Sequence, residues 1–300
     1  MTDLYHKCPE YLDSALLNTS SIADETVPSV TFGSRRFSHY VRTICPVNSE
    51  RKVPNIIHYV WFDIKQMTFY QMISFLSVHK FQNPCLILLH GNVIPAGPYW
   101  LHLVRHVSNI IHVKSDGPIK TERNKSFNDN THKSDLVRLM ALKEFGGIYL
   151  DLDTVLLRSL DPLMNYPVTM SLEYWSNLSN GLIVAERDAL FIRQWVTLFH
   201  EQYTYDPNRY FEFSLFMPSR IAKKHPSWIH VENMTFCTPN GQDTHKIFNE
   251  NYDWKENYAM HLYIRYYQHH DSEQTVRTLN TTIGSLARYV LYGTKKLCED

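Results

Sequence analysis

Short, unbroken apolar runs alternate with segments of helical spacing, and this alternation constrains the fold more than any other feature of the chain. Pro54-Asn55-Ile56-Ile57-His58-Tyr59-Val60-Trp61-Phe62 opens on a proline and stays largely apolar, so it reads as a first buried strand, and residues 67–80 follow with the spacing of a helix. Residues 85–90 and 109–113 are two further apolar runs, with a helix expected between them over 99–107. Strands that are apolar throughout are buried on both faces. With helices between them they imply an α/β fold, a mostly parallel Rossmann-like sheet with helices on both faces. Residues 1–50 show no sustained periodicity and read as a loose lead-in or wrap, so the organised domain is expected over 51–300.

Lys+Arg and Asp+Glu are both 30, so the chain presents no global field to steer nucleic acid or an anionic membrane, and any charged ligand must be met locally. Residues 1–20 carry Asp3, His6, Lys7, Glu10 and Asp13, leaving no apolar stretch of the length a signal peptide or membrane anchor needs; the expectation is a soluble chain with no transmembrane segment. The cysteines, 5 in all, have no C-x-x-C spacing, which argues against a zinc or redox pair. Asn-x-Ser/Thr sequences at Asn18, Asn124, Asn177, Asn233 and Asn280 lean weakly towards a lumenal setting.

Chemistry concentrates after the third of these apolar runs. Residues 114–131 are too polar for a core element and read as a surface loop, and a helix is expected over 132–145, capped by Asn130 or Thr131 and stopped by Gly146-Gly147. Ile148-Tyr149-Leu150 then leads into Asp151-Leu152-Asp153, which places two carboxylates at the carboxyl end of a strand, where open α/β sheets bind ligands. Their mutual repulsion is relieved by a divalent cation, and hard oxygen ligands suit Mg²⁺ or Mn²⁺ bearing substrate phosphates. Asp135 and Arg138, three apart on one helix face, belong at the same end of the sheet and can meet sugar hydroxyls and phosphate oxygens; an ordinary ion pair is the plain alternative. Later elements are expected at 168–172, 182–184, 188–203, 259–263 and, as one last helix, 273–291.

The pattern Ser134-Asp135-x-x-Arg138 followed by Gly146-Gly147-Ile148-Tyr149-Leu150-Asp151-Leu152-Asp153 resembles glycosyltransferase family 32 and the related glycosylating bacterial toxins. The opening strand with His58 and Trp61, and Asn180-Gly181 after Glu173, are similar to that family as well, so the resemblance spans about residues 54–190. It implies a GT-A catalytic domain, a nucleotide-sugar donor (UDP-linked galactose or N-acetylglucosamine favoured, GDP-mannose the alternative), and a glycan, glycolipid or glycoprotein acceptor. It also implies Mn²⁺ dependence, with Mg²⁺ as substitute, and retention at the anomeric carbon. By that resemblance Asp151 and Asp153 hold the metal, while His58, Trp61, Asp135, Arg138, Tyr149, Asp151 and Asn180 meet the donor. The backbone at Val60-Trp61 lines the base, with Trp61 as plain core the alternative. Glu173 is a candidate nucleophile, a role that front-side displacement does not require. His261 is proposed as a third protein ligand, because its apolar stretch sits where several GT-A families supply a late histidine. Arg138 is expected to serve the donor, so that Arg138→Lys costs activity more than stability. A Golgi lumen follows from the resemblance, and cytoplasm is the alternative given the missing anchor.

Two other readings compete. Tyr149-Leu150-Asp151-Leu152-Asp153-Thr154-Val155 also fits the nucleophile motif of haloacid-dehalogenase-type phosphatases, but that chemistry needs a later acidic pair behind a strand, and Gly241-Gln242-Asp243 has no such strand before it. A non-catalytic sugar-nucleotide or glycan-binding relative is the other, and intact Asp135, Arg138, Asp151 and Asp153 argue against it.

Overall fold

The computed structural model describes residues 5–12, 27–47, 51–127, 129–173, 176–233 and 235–299. In chain order these form β1 (Tyr5–His6), β2 (Ser29–Thr31), α1 (Arg35–Ile44), β3 (Ile56–Trp61), α2 (Phe69–Phe81), β4 (Leu86–Gly91), α3 (Pro98–His106) and β5 (Ile110–Lys114). Next come α4 (Asn130–Phe145), β6 (Gly147–Leu150), β7 (Thr154–Leu156), β8 (Val168–Ser171), β9 (Leu182–Ala185), α5 (Leu190–Gln202) and α6 (Met217–Lys224). The chain closes with β10 (His230–Glu232), α7 (Thr244–Phe248), β11 (Ala259–His261), α8 (Glu273–Thr278), α9 (Thr282–Tyr292) and β12 (Leu297–Cys298).

Eight strands form one sheet in the order β10-β8-β9-β6-β3-β4-β5-β2. All neighbours run parallel except β9, which is antiparallel to both β6 and β8. Every residue of β3 and β4 is buried, as continuous apolar runs require when helices cover both faces. Met72 and Phe75 of α2, Leu103 of α3 and Leu286 of α9 pack on one face; Leu139 of α4, with Phe191, Trp195 and Phe199 of α5, packs on the other.

Local signals set the boundaries. Thr68 and Gln71 form a reciprocal capping box that starts α2. The cap of α4 is Asp129, whose carboxylate accepts from the Thr131 N–H at 2.6 Å, one residue before the expected Asn130 or Thr131. Gly146 (φ 66°) ends α4, and Gly147 (φ 110°) must stay bare because a Cβ there would lie 2.5 Å from the Ile56 carbonyl oxygen. The single last helix expected over 273–291 is two helices, because Thr281 leaves helical geometry to cap α9.

The stretch expected as a loose lead-in contributes an edge strand and a helix. Val30 of β2 pairs with Val113, Phe37 of α1 meets Phe145 edge-on at 5.8 Å between ring centroids, and a disulfide joins Cys45 to Cys85. A second disulfide joins Cys8 to Cys298, where β1 and β12 also pair, and leaves Cys237 as a buried free thiol. Asn124, Asn233 and Asn280 are exposed and Asn177 is half-buried, while Asn18 lies outside the described residues. Among the described residues no helix is long and apolar enough to cross a membrane.

His58 lies wholly inside this core. Its Nδ1 meets His90 Nε2 at 2.9 Å and its Nε2 meets the Gly146 carbonyl at 2.7 Å, so it ties β3 to β4 and to the turn before β6. Burial, against the pull of the Gly146 carbonyl, lowers its pKa to about 4. The folded chain therefore holds this ring neutral while the unfolded chain protonates it near the ordinary value, so stability present above pH 6.5 is lost as pH falls towards 4. Relative to a His58→Gln variant, the unaltered protein should lose roughly 2 kcal/mol more between pH 7 and pH 5 in urea unfolding. Parallel pH profiles for the two proteins would disprove the assignment.

Candidate active site

The reversed strand builds the site. Because β9 starts where β6 ends, Leu150 pairs with Leu182, and the Asp151 N–H donates to the Gly181 carbonyl at 2.8 Å. Asp151 then turns the chain, its carbonyl accepting from the Thr154 N–H at 2.9 Å, and β7 leaves to pair antiparallel with β11. His261 stands opposite Thr154 in that register, so a residue more than a hundred positions downstream reaches the acidic pair. Gly181 keeps the junction open: a Cβ there would lie 3.1 Å from both Asp151 Oδ2 and His261 Nδ1.

Arg138 organises the other side. Its Nη1 donates to Asp151 Oδ1 at 3.1 Å and to the Asn180 carbonyl at 2.9 Å, its Nη2 pairs with Asp135 Oδ1 at 3.1 Å, and its guanidinium lies 4.3 Å over the Tyr149 ring. Tyr149 donates its hydroxyl to Asp151 Oδ1 at 2.6 Å, and the Asn180 amide donates to Asp135 Oδ1 at 2.7 Å. Burial opposes the charge on Arg138, but Tyr149, Asp151 and Asp135 around it hold the guanidinium protonated. Asp135 is 2% exposed, and burial raises its pKa against the attraction of Arg138; its Oδ2 has no partner although the residue lines the cavity.

His261 and Asp153 are 3.2 Å apart, with Asp151 Oδ2 at 3.9 Å from the same imidazole nitrogen. Burial works against charge on both partners, yet Asp153, then Asp151 and Glu173, raise His261 to about 9, while His261 and the Ile264 N–H hold Asp153 below the usual carboxylate range. Among the described residues no three His, Cys, Asp or Glu side chains already form a metal cage. The donor set still fits a cation that takes its remaining ligands from phosphates: Asp151 and His261 flank the bare Gly181 corner, Asp153 meets the same imidazole, and His261 Nδ1 is buried without a partner.

Asp135, Arg138, Tyr149, Asp151, Asp153, Glu173, Asn180 and His261, all expected from the sequence, line one cavity of about 320 Å³. His58 and Trp61 do not reach it. Both are 0% exposed; His58 bonds inward as described and Trp61 donates to the Ile64 carbonyl, so Val60, Phe62 and Ile64 supply that wall instead. Alternation along β3 explains Trp61, which faces opposite to Val60; His58 shares the face of Val60 but is taken up by His90 and the Gly146 carbonyl. Residues missed by sequence reasoning are Tyr210, Phe211, Ser214 and Leu215, along a π-helical turn over Glu212–Phe216, together with Tyr263 and Arg265. The aromatic density of Tyr210-Phe211-Glu212-Phe213-Ser214-Leu215-Phe216 was the available signal. Asp243, which a phosphatase would need behind a strand, opens α7 after a turn and pairs with Lys246 at 3.2 Å.

With the two carboxylates, their histidine and the Asp135-Arg138 pair located, comparison with known proteins becomes decisive. Residues 49–169 match the family described as a glycosyltransferase sugar-binding region containing a DXD motif. Over that stretch the chain is similar to the DXD-containing glycosyltransferases. Glucan organizing enzyme 1 of Cryptococcus neoformans is 27% identical over 253 residues, covering 76% of this chain and 67% of that protein. Inositol phosphoceramide mannosyltransferase 3 of Schizosaccharomyces pombe is 34% identical over 84 residues, 28% of this chain and 24% of that protein. Among solved structures, PaToxG glycosyltransferase is similar (16% identity, 63% of this chain and 74% of that one, TM-score 0.45). So is GlyE of Streptococcus pneumoniae in its apo form (12% identity, 79% and 60%, TM-score 0.45). The fold is the expected α/β one, a mostly parallel sheet with the acidic pair at the end of a central strand. The phosphatase reading finds no support.

Arg138 uses its nitrogens on protein oxygens, so the expectation that Arg138→Lys spares stability does not follow from this geometry. Arg138→Met leaves buried Asp135 uncompensated and should cost about 3–5 kcal/mol of stability as well as transfer activity. A melting temperature within a degree of the unaltered protein would contradict the strut role.

Proposed function

We propose that this glycosyltransferase moves a hexose from a nucleoside diphosphate sugar, UDP-linked in the first instance, to a hydroxyl of a glycan, glycolipid or glycoprotein, with retention at the anomeric carbon. The observation that carries the reading is the convergence of Asp135, Arg138, Asn180, Asp151, Asp153 and His261 on one cavity. Asp151, Asp153 and His261 are the groups for Mn²⁺ or Mg²⁺, whose charge stabilises the departing diphosphate.

The chain's own groups divide the remaining work. Val60, Phe62 and Ile64 form the apolar wall for the base, and the unpartnered Asp135 Oδ2 is an acceptor for a donor-sugar hydroxyl. Arg138 fixes Asp135 and Asp151 in one arrangement before substrate arrives. Retention follows front-side displacement. The acceptor oxygen bonds to the anomeric carbon as the bond to phosphate oxygen breaks, its electron pair goes to the β-phosphate, and the hydroxyl proton passes to that phosphate. Glu173, its Oε1 accepting from the Tyr263 hydroxyl at 2.8 Å, is the nucleophile of the double-displacement alternative.

A relative named as a mannosyltransferase supports mannose, and hence GDP-mannose, as the second donor reading. The two disulfides and the exposed Asn-x-Ser/Thr sites support an oxidising, lumenal setting such as the Golgi.

Thermal shift and donor hydrolysis with UDP-galactose, UDP-N-acetylglucosamine, UDP-glucose and GDP-mannose, each with Mn²⁺, decide the donor. Response to a UDP-sugar is expected; response to GDP-mannose alone transfers the assignment to mannose. Asp153→Asn removes a charge and little volume, so transfer should fall by about a thousandfold or more with the fold retained. Near-normal turnover by the purified variant would remove the metal role from Asp153.

A further inference from the structure

A second cavity, of about 380 Å³, lies against the other side of Glu173. Glu173 lines both cavities, which makes its carboxylate the wall between them. That wall is held in place: the Tyr263 hydroxyl donates to Glu173, and the Tyr263 ring stacks on His261 with centroids 4.1 Å apart. Closeness to the acidic pair shows also at buried Cys237, which lines the second cavity and whose pKa is raised first by burial and then by the charges of Glu173 and Asp151.

We propose that this second cavity is an acceptor subsite for a neutral saccharide, holding the sugar unit next to the one whose hydroxyl reaches Glu173. The proposal rests on the glycosyltransferase reading above and adds where, and by what chemistry, the acceptor is held.

The lining selects the class of ligand. Asn233 and Asn240 offer amides, each able to donate and accept, and Tyr252 offers an aromatic ring. Among the described residues Lys246 is the cavity's one cationic side chain, and Asp243 neutralises it at 3.2 Å, so a phosphate or nucleic-acid backbone finds no uncompensated charge there. A lipid tail would need an apolar wall, and among the described residues Leu172 and Cys237 supply little of one. Dense neutral hydrogen-bonding groups beside one aromatic face match a sugar ring, with polar edges and an apolar C–H face. The volume falls within the range of small-molecule pockets, about 300–1,000 Å³.

The test separates this subsite from the donor site. The whole chain is produced without N-linked glycans, because Asn233 heads an Asn-x-Thr sequence at the cavity. Acceptor KM is measured for methyl glucoside, galactoside and mannoside and for cellobiose, lactose and mannobiose, alongside donor hydrolysis without acceptor. Asn233→Trp fills the mouth from an exposed position, and Asp243→Asn frees Lys246 without changing shape. At least one disaccharide should have a KM about tenfold below its monosaccharide, and both variants should raise that KM by about tenfold. Donor hydrolysis should stay within about twofold of the unaltered enzyme. Equal KM for mono- and disaccharides, a disaccharide advantage that survives both variants, or donor hydrolysis that falls in step with transfer each overturns the subsite alone. Failure of the unaltered protein to hydrolyse or transfer from any nucleotide sugar overturns the proposed function, and the subsite with it.

Discussion

The site depends on one buried cation. Arg138 spans from the helix before the acidic strand to the turn after it, touching Asp135, Asp151 and the Asn180 carbonyl at 2.9–3.1 Å. A guanidinium is suited to this because its planar fork reaches several acceptors at fixed angles, which an ammonium does not. Burial opposes its charge, so the surrounding oxygens must compensate it, and that requirement fixes their positions in turn. The arrangement is therefore preorganised by the chain's own electrostatics.

Topology supplies the second half. In an all-parallel sheet the segment after β8 would begin its next strand at the opposite end. Reversing β9 instead brings Asn180-Gly181 alongside Asp151. The β7–β11 pair acts in the same sense by returning the chain from a distant segment and setting His261 in register with Thr154. Two antiparallel pairings thus draw residues from three separate stretches into one corner.

Much of this was legible beforehand, and the reason is local. Runs such as Ile56–Trp61 and Leu86–Gly91 are apolar on both faces, so burial and parallel pairing follow from composition alone. Asp135, Arg138, Asp151 and Asp153 could be placed because strand ends and helix starts in such sheets share one side. Features that depend on partners far away were hidden. Whether Val60 or Trp61 faces the cavity is decided by one residue of register, and nothing in an unbroken apolar run fixes register. The edge strand Ser29–Thr31 is too short to show a period, and the cysteine pairs join positions 290 and 40 apart that no spacing rule connects. The wall from Tyr210 to Leu215 runs into a π-helical turn over Glu212–Phe216, which has no simple sequence signature.

Both margins of the eight-stranded sheet end in strands of three residues, β2 on one side and β10 on the other. An interior strand such as β4, six residues long and buried throughout, would be a template for pairing with another chain if it stood at the margin. The terminal strands instead offer a short row of unpaired amides, and β10 carries His230 and Glu232, bonded to each other at 2.8 Å. The sheet is thereby blunted at both edges without being closed into a barrel.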